Sequence, residues 1–337
     1  MVNILICLKY EVYMIFLSHR NYILLLIMIL STIGSGVFAM DTAGWVDGYD
    51  APVTIAAKNL DDLIVQGVKN IRDNGETFNA RAGSGQQAYE VTYTLLSPLN
   101  RLHEIRKPRS IKYFSRELLA YFKGSLKVDE GLAQASAVWK TLADKNNEIA
   151  SNYGHYVFHQ RVPEANNITQ YEWVIQNLEK NLDSRKAFIN INQPKHKIAE
   201  NKDFPCTIGM QFFVKKNHLC CVVSSRSTDI YTGLPYDMGF FSFVTELVYK
   251  DLKERLSEDK AKELKLGFVT MKTNFTQIYD KTRDAALALL SCTDTASDDK
   301  MPAIENARDT LKDIYEQTAK TPVMQWIYRH AELPIPQ

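Results

Sequence analysis

Between residues 50 and 337, helix-period and strand-period runs alternate with no internal repeat and no Pro/Ser-rich linker to divide them. Such a chain must bury both kinds of element in one core, and a single mixed α+β domain is the economical solution. Leu60, Ile64, Val68 and Ile71 recur at helical spacing over residues 60–73, with Asn59 placed to cap the helix and Gly75 to end it. Ile111, Phe114, Leu118, Leu119 and Phe122 predict a second helix from Ser110 that stops at Gly124, with Glu117 inside its apolar run. Strands are expected at 187–191, 208–214, 219–224 and 266–273, a long helix at 238–256, and a carboxy-terminal helix at 303–318.

Forty basic residues against 39 acidic ones leave a net charge of +1, which excludes a global field for nucleic acid and makes any anion site local. The five cysteines, Cys7, Cys206, Cys220, Cys221 and Cys292, are odd in number and lack C-x-x-C spacing. They argue against a disulfide framework or zinc ribbon, and no metal site is expected. Residues 1–39 read differently from the rest. An aliphatic run from Tyr22 to Leu30 follows His19 and Arg20, and Val37-Phe38-Ala39 resembles a V-x-A cleavage site. Two readings fit: a secretory or membrane-anchoring leader over 14–39, or upstream sequence before a start near Met40. Residues 40–58 read as a polar amino-terminal extension.

Several short segments carry chemistry-bearing residues. Arg81-Ala82-Gly83-Ser84-Gly85 is a Gly-rich loop able to offer backbone N–H groups and an arginine to phosphate, although a short one is more often a plain turn. Asp183-Ser184-Arg185-Lys186 precedes a strand. Asp203-Phe204-Pro205-Cys206 and Arg226-Ser227-Thr228-Asp229, running on to Gly233-Leu234-Pro235-Tyr236-Asp237, follow it. Alone, each has a bland explanation as a solvated turn, a small buried thiol or a loop. Their joint order and spacing depart from chance.

With Trp139, Tyr153-Gly154, Gln211-Phe212-Phe213-Val214 and Gln277-Ile278-Tyr279, these segments make residues 59–285 resemble the thymidylate synthase superfamily, and within it the deoxycytidylate hydroxymethylases. The resemblance implies a mixed β-sheet flanked by helices, with residues 59–337 as one catalytic domain ending in a divergent carboxy-terminal helix. It also implies a homodimer that stacks its sheets, and transfer of a one-carbon unit from 5,10-methylenetetrahydrofolate to carbon 5 of a pyrimidine nucleoside monophosphate. Cys206 matches the thiol that adds to carbon 6 and makes carbon 5 nucleophilic. Arg226, beside it, is expected to lower its pKa. Arg81, Arg226 and Ser227 match phosphate ligands, and Arg185 and Lys186 match the basic pair lent across the dimer. Lys186 stands where a second arginine is commoner, so its contact would be that of a point charge. Glu117 matches the glutamate of proton transfer, Tyr153 the tyrosine near carbon-5 proton abstraction, Trp139 and Asp229 folate contacts, and Tyr279 a sugar-hydroxyl ligand beside Gln277.

Asp237 departs from the thymidylate synthases, which place Asn there. An amide can serve uracil N3–H and O4 together, whereas a carboxylate cannot donate to O4 and suits cytosine. Gln277, Ser225 and Thr207 replace the usual His, Gln and His. The expectation is a C5 hydroxymethyltransferase converting dCMP to 5-hydroxymethyl-dCMP through a Cys206 adduct. Alternatives are reductive methylation and a catalytically inactive nucleotide-binding homologue. Folate and nucleotide substrates favour the cytoplasm.

Overall fold

The computed structural model describes residues 3–8, 11–16, 51–292 and 299–336. It divides into two units, Met1–Ala51 and Pro52–Gln337. In the first, β1 (Asn3–Leu8) pairs antiparallel with β2 (Glu11–Phe16), Asn3 opposite Phe16. The leader segments at 22–30 and 37–39 lie outside the described residues. Among the described residues no helix is long and apolar enough to cross a membrane.

The second unit is built on a seven-stranded sheet. Its strands are β3 (Val53–Ala57), β4 (Glu76–Ala80), β5 (Gly83–Leu95), β8 (Phe188–Asn190), β9 (Thr207–Lys215), β10 (His218–Asp229) and β11 (Lys265–Tyr279). A small hairpin, β6 (Arg161–Val162) with β7 (Ile168–Thr169), stands apart. The order is β3-β5-β11-β10-β9-β8, and β4 follows β3 along the same edge of β5. Pairing is parallel for β3 with β5 and for β10 with β11, and antiparallel elsewhere. The sheet is therefore mixed, as the α+β expectation required. Residues 53–57, read from the sequence as the end of a polar extension, are its edge strand β3, because Ile55 and Ala57 bury against the core.

The Gly-rich segment at 81–85 is not a free loop. It is the tight turn between β4 and β5, paired as far as Ala80 opposite Gly83. Two strands also run further than their apolar cores suggested. β10 continues through Ser225–Asp229 and β11 through Gln277–Tyr279, because Ser227, Thr228 and Asp229 stay in register with Phe275, Thr276 and Gln277. Polar residues belong in these ends because the strands leave the core there and enter a cleft.

The helices are α1 (Leu60–Asn74), α2 (Arg109–Lys123), α3 (Gln170–Lys180), α4 (Leu234–Arg255), α5 (Glu258–Glu263), α6 (Arg283–Ala288), α7 (Ala307–Glu316) and α8 (Pro322–His330). As expected, the Asn59 side chain caps α1 by accepting from the Asp62 N–H at 2.8 Å. α2 ends at Gly124 in the left-handed region, φ 66°. The carboxy-terminal helix expected at 303–318 is shorter, and α8 follows it after Pro322 at the first helical position.

α4 has no polar face over most of its length. Phe240, Phe241, Phe243, Val244, Leu247 and Val248 are all fully buried. A helix apolar all round must be central, and α4 packs between the sheet strands β10 and β11 and helices α1, α2, α3 and α7. Its one deep ion pair joins Glu246 to Arg101, with side chains 1% and 0% exposed, while Glu246 also accepts the Ile304 N–H at 2.8 Å. Removing either partner would strand a buried charge.

Candidate active site

The ends of β10 and β11, the start of β9, the middle of α2 and the first turn of α4 converge on a cleft of about 260 Å³. It is lined by Glu117, Trp139, Tyr153, Cys206, Ser227, Asp229, Asp237, Gln277 and Tyr279, all singled out from the sequence. Residues up to 162 positions apart thus meet in one place, as counted from Glu117 to Tyr279.

Cys206 sits immediately before β9. Its carbonyl accepts the Arg226 N–H at 2.9 Å, and the Ser225 hydroxyl lies 3.0 Å away, so the thiol-bearing residue is tied to the neighbouring strand. From that strand the Ser227 hydroxyl donates to Cys206 Sγ at 3.6 Å, and Arg226 Nη1 donates to Ser227 Oγ at 3.1 Å. Arg226 Nη2 donates to the Phe204 carbonyl at 2.7 Å, while its buried Nε has no hydrogen-bond partner. This relay of donors favours a thiolate. The expected pKa-lowering by Arg226 is present, but it does not win. Burial outweighs both Arg226 and Ser227 and pushes the Cys206 thiol up, so the ligand-free protein holds a thiol.

The opposite wall carries two carboxyls in apolar surroundings. Glu117 is 4% exposed, and burial, reinforced by the nearby Asp237 charge, pushes it up to about 8 against the opposing Tyr113 hydrogen bond. Asp237 is half-buried and lines the cleft. It lies in the first turn of α4, where the helix dipole favours the anion by about 0.3–1 kcal/mol. Burial is the larger effect and raises it to about 7. Both groups therefore hold protons well into the neutral range, which suits proton transfer.

Aromatic rings complete the walls. Tyr153 stacks on Tyr121 at 5.8 Å between centroids and on Phe241 at 6.2 Å, and burial holds its phenol well above the usual range. Gly154 makes this packing feasible, since a Cβ there would meet the Tyr121 carbonyl at 1.9 Å. Asp229 Oδ1 accepts the Tyr231 and Thr232 N–H groups at 2.7 and 2.9 Å, so that oxygen shapes the turn into α4. Gln277 Oε1 is buried without a partner beside Tyr279.

The other predicted phosphate ligands are not gathered here. Arg81 is exposed at the β4–β5 turn and donates to the Lys202 carbonyl. Arg185 and Lys186 are exposed ahead of the edge strand β8, where their carbonyls accept from Gln211 and Trp173 at 3.1 and 2.9 Å. Sequence reasoning gave no role to Tyr113, Tyr121, Tyr236 and Lys281, which also line the cleft. The signal for two of them was available, because Tyr113 and Tyr121 stand four residues either side of Glu117 on α2 and share its face.

The thymidylate synthase family pattern matches residues 64–322, and the chain belongs to that family. Similar proteins include the deoxycytidylate 5-hydroxymethyltransferases of Enterobacteria phages T4, T2 and T6. Each is 26% identical over 174 residues, covering 50% of this chain and 68% of the relative. Family and relatives together support a one-carbon transferase acting on carbon 5 of a pyrimidine nucleotide.

Proposed function

We propose that this member of the thymidylate synthase family is a 5,10-methylenetetrahydrofolate-dependent hydroxymethyltransferase that converts dCMP to 5-hydroxymethyl-dCMP. The observation that carries the choice of base is Asp237, a carboxyl raised to about 7 in the same cleft as the Cys206 thiol, because uracil with its own N3–H leaves it free to ionise whereas cytosine N3 keeps it protonated. In that state it donates to cytosine N3 and accepts from the N4 amino group. Passing its proton to N3 as the thiolate adds at carbon 6 would neutralise charge developing on the ring. Once ionised, the same carboxyl faces uracil O4 with no hydrogen to offer.

The remaining residues divide the work. Arg226 and Ser227 hold the nucleotide phosphate and, through their relay, favour the thiolate when Cys206 attacks. Carbon 5 of the adduct then bonds to the one-carbon unit. The carbon-5 proton is lost near Tyr153, and the folate amine departs. Water adds to the exocyclic methylene with Glu117 handling its proton, and expulsion of Cys206 restores the ring. Trp139 packs on the folate, Asp229 contacts its pterin, and Gln277 and Tyr279 meet the sugar. The buried Gln277 Oε1 has no hydrogen-bond partner of its own.

The proposed assembly is a homodimer. Along the sheet, residues such as Val91, Tyr93, Phe212, Val223 and Met271 are buried, while the alternating Thr92, Phe213, Val222 and Phe268 stay half-buried. A second copy on that apolar face would cover it. It would also explain why Arg185 and Lys186 stand outside their own cleft, free to reach the partner's phosphate. The proposed compartment is the cytoplasm, where reduced folate and nucleoside monophosphates are found.

The test is tritium release from carbon-5-labelled dCMP, CMP and dUMP in the presence of methylenetetrahydrofolate, with product mass. Release from dCMP with a hydroxymethyl product is expected. A methyl product would mean reductive methylation, and cytidylate binding without release would mean an inactive homologue.

A further inference from the structure

Tyr113 stands between two residues assigned to different substrates. Its ring packs on Tyr236 at 4.4 Å between centroids, next in sequence to Asp237. Its hydroxyl lies 3.2 Å from the Trp139 indole nitrogen and 2.8 Å from Glu117 Oε1. The direction of both hydrogen bonds follows from the groups. An indole N–H only donates, so the phenol oxygen accepts from Trp139. The phenol has one proton, and it goes to Glu117 Oε1. Oε1 is thereby an acceptor whatever the protonation state of the carboxyl, and when Glu117 is protonated its own proton must sit on Oε2.

We propose that Tyr113 is a positioning residue that makes Glu117 a one-sided acid/base, holding Oε1 through its hydroxyl so that proton exchange with substrate and water runs through Oε2. The same bond couples Glu117 to Trp139, so a folate pressing on the indole would be sensed at the proton-transfer group. Tyr113 precedes Glu117 by one helical turn, so the two rise from one rigid face of α2. The titratable groups around Glu117 are Tyr113 and Tyr121 on its own helix, Asp237 and Tyr236 on α4, and Tyr153 and Cys206 across the cleft. Of these, Tyr113 is the one whose hydrogen bond pulls the carboxyl downward.

The inference rests on the assignment of Glu117 to proton transfer, so the experiment reads the carboxyl both with and without turnover. Tyr113→Phe keeps the ring packing and removes only the hydroxyl. In the ligand-free full chain, the Glu117 C=O stretch, identified by its loss in Glu117→Gln, should titrate roughly one pH unit higher in Tyr113→Phe. In turnover, kcat for tritium release should fall about tenfold while the KM for the nucleotide stays within about twofold. The pH limb assigned to Glu117 should move upward with the infrared titration. An unmoved infrared titration would overturn the proposal even if the wild-type protein released no tritium. A moved titration with no wild-type turnover would uphold the geometry and overturn only the reaction assigned to it. A changed KM with an unshifted pH limb would mark Tyr113 as merely structural.

Discussion

The two walls of the cleft are made in opposite ways. On the strand wall, Cys206, Arg226 and Ser227 are held by backbone pairing and a chain of donors that ends at the thiol. On the helix wall, Glu117 and Asp237 are set in apolar surroundings and depend on burial for their character. The strand wall offers donors to an anion and the helix wall offers little beyond a helix end, although burial raises the pKa of the titrating groups on both. The lesson is that a site can divide nucleophile from acid by the kind of element that carries each.

The comparison breaks most severely at the thiol. Cys206→Ser should lower tritium release by about 10⁴-fold or more, because an alkoxide is far harder to form than a thiolate, while cytidylate binding by calorimetry stays within a few-fold. Next comes the relay. Arg226→Gln removes charge but keeps donors, and kcat/KM should fall about a hundredfold, with the pH of iodoacetamide labelling of Cys206 shifted upward. That shift would show the strand wall acting on the thiol as well as on phosphate.

The helix wall makes a prediction about stability. Folded Glu117 and Asp237 release their protons near pH 8 and 7, whereas in the unfolded chain they do so near 4.5 and 3.8. The folded state therefore binds more protons between about pH 4 and 8, and rising pH across that window destabilises it. Replacing both with Glu117→Gln and Asp237→Asn should flatten this dependence and raise stability at pH 8 by about 1–3 kcal/mol in urea unfolding. A variant less stable than wild type at pH 8 would mean the carboxyls are satisfied as anions. The smallest effect should come from Trp139→Phe, which loses the indole donor to Tyr113 and should cost about threefold in kcat.

The walls were unequally legible in the sequence. α1 with its Asn59 cap and α2 with its Gly124 stop could be read from spacing and end signals, since those are local. Cys206 and Arg226 stood out because their interval matches the family pattern, and the antiparallel pairing of β9 with β10 brings the Arg226 N–H to the Cys206 carbonyl. The strand ends at 225–229 and 277–279 were missed because their polar residues face a cleft, and alternation of apolar residues fails there. Burial of Glu117 could not be read from α2 alone. A charge in an apolar run usually reaches solvent, and only packing against α4 closes that route. The net effect on Cys206 was equally hidden, since the arginine is visible in sequence while the burial that outweighs it is tertiary.

The central claim is that Asp237 selects the base, and paired carbon-5 tritium release from dCMP and dUMP at pH 8 tests it most directly. With the carboxyl ionised against uracil, wild type should favour dCMP by at least about a hundredfold in kcat/KM, and Asp237→Asn should reverse the preference. Equal use of both nucleotides by wild type, or a ratio unchanged by the substitution, would contradict the account.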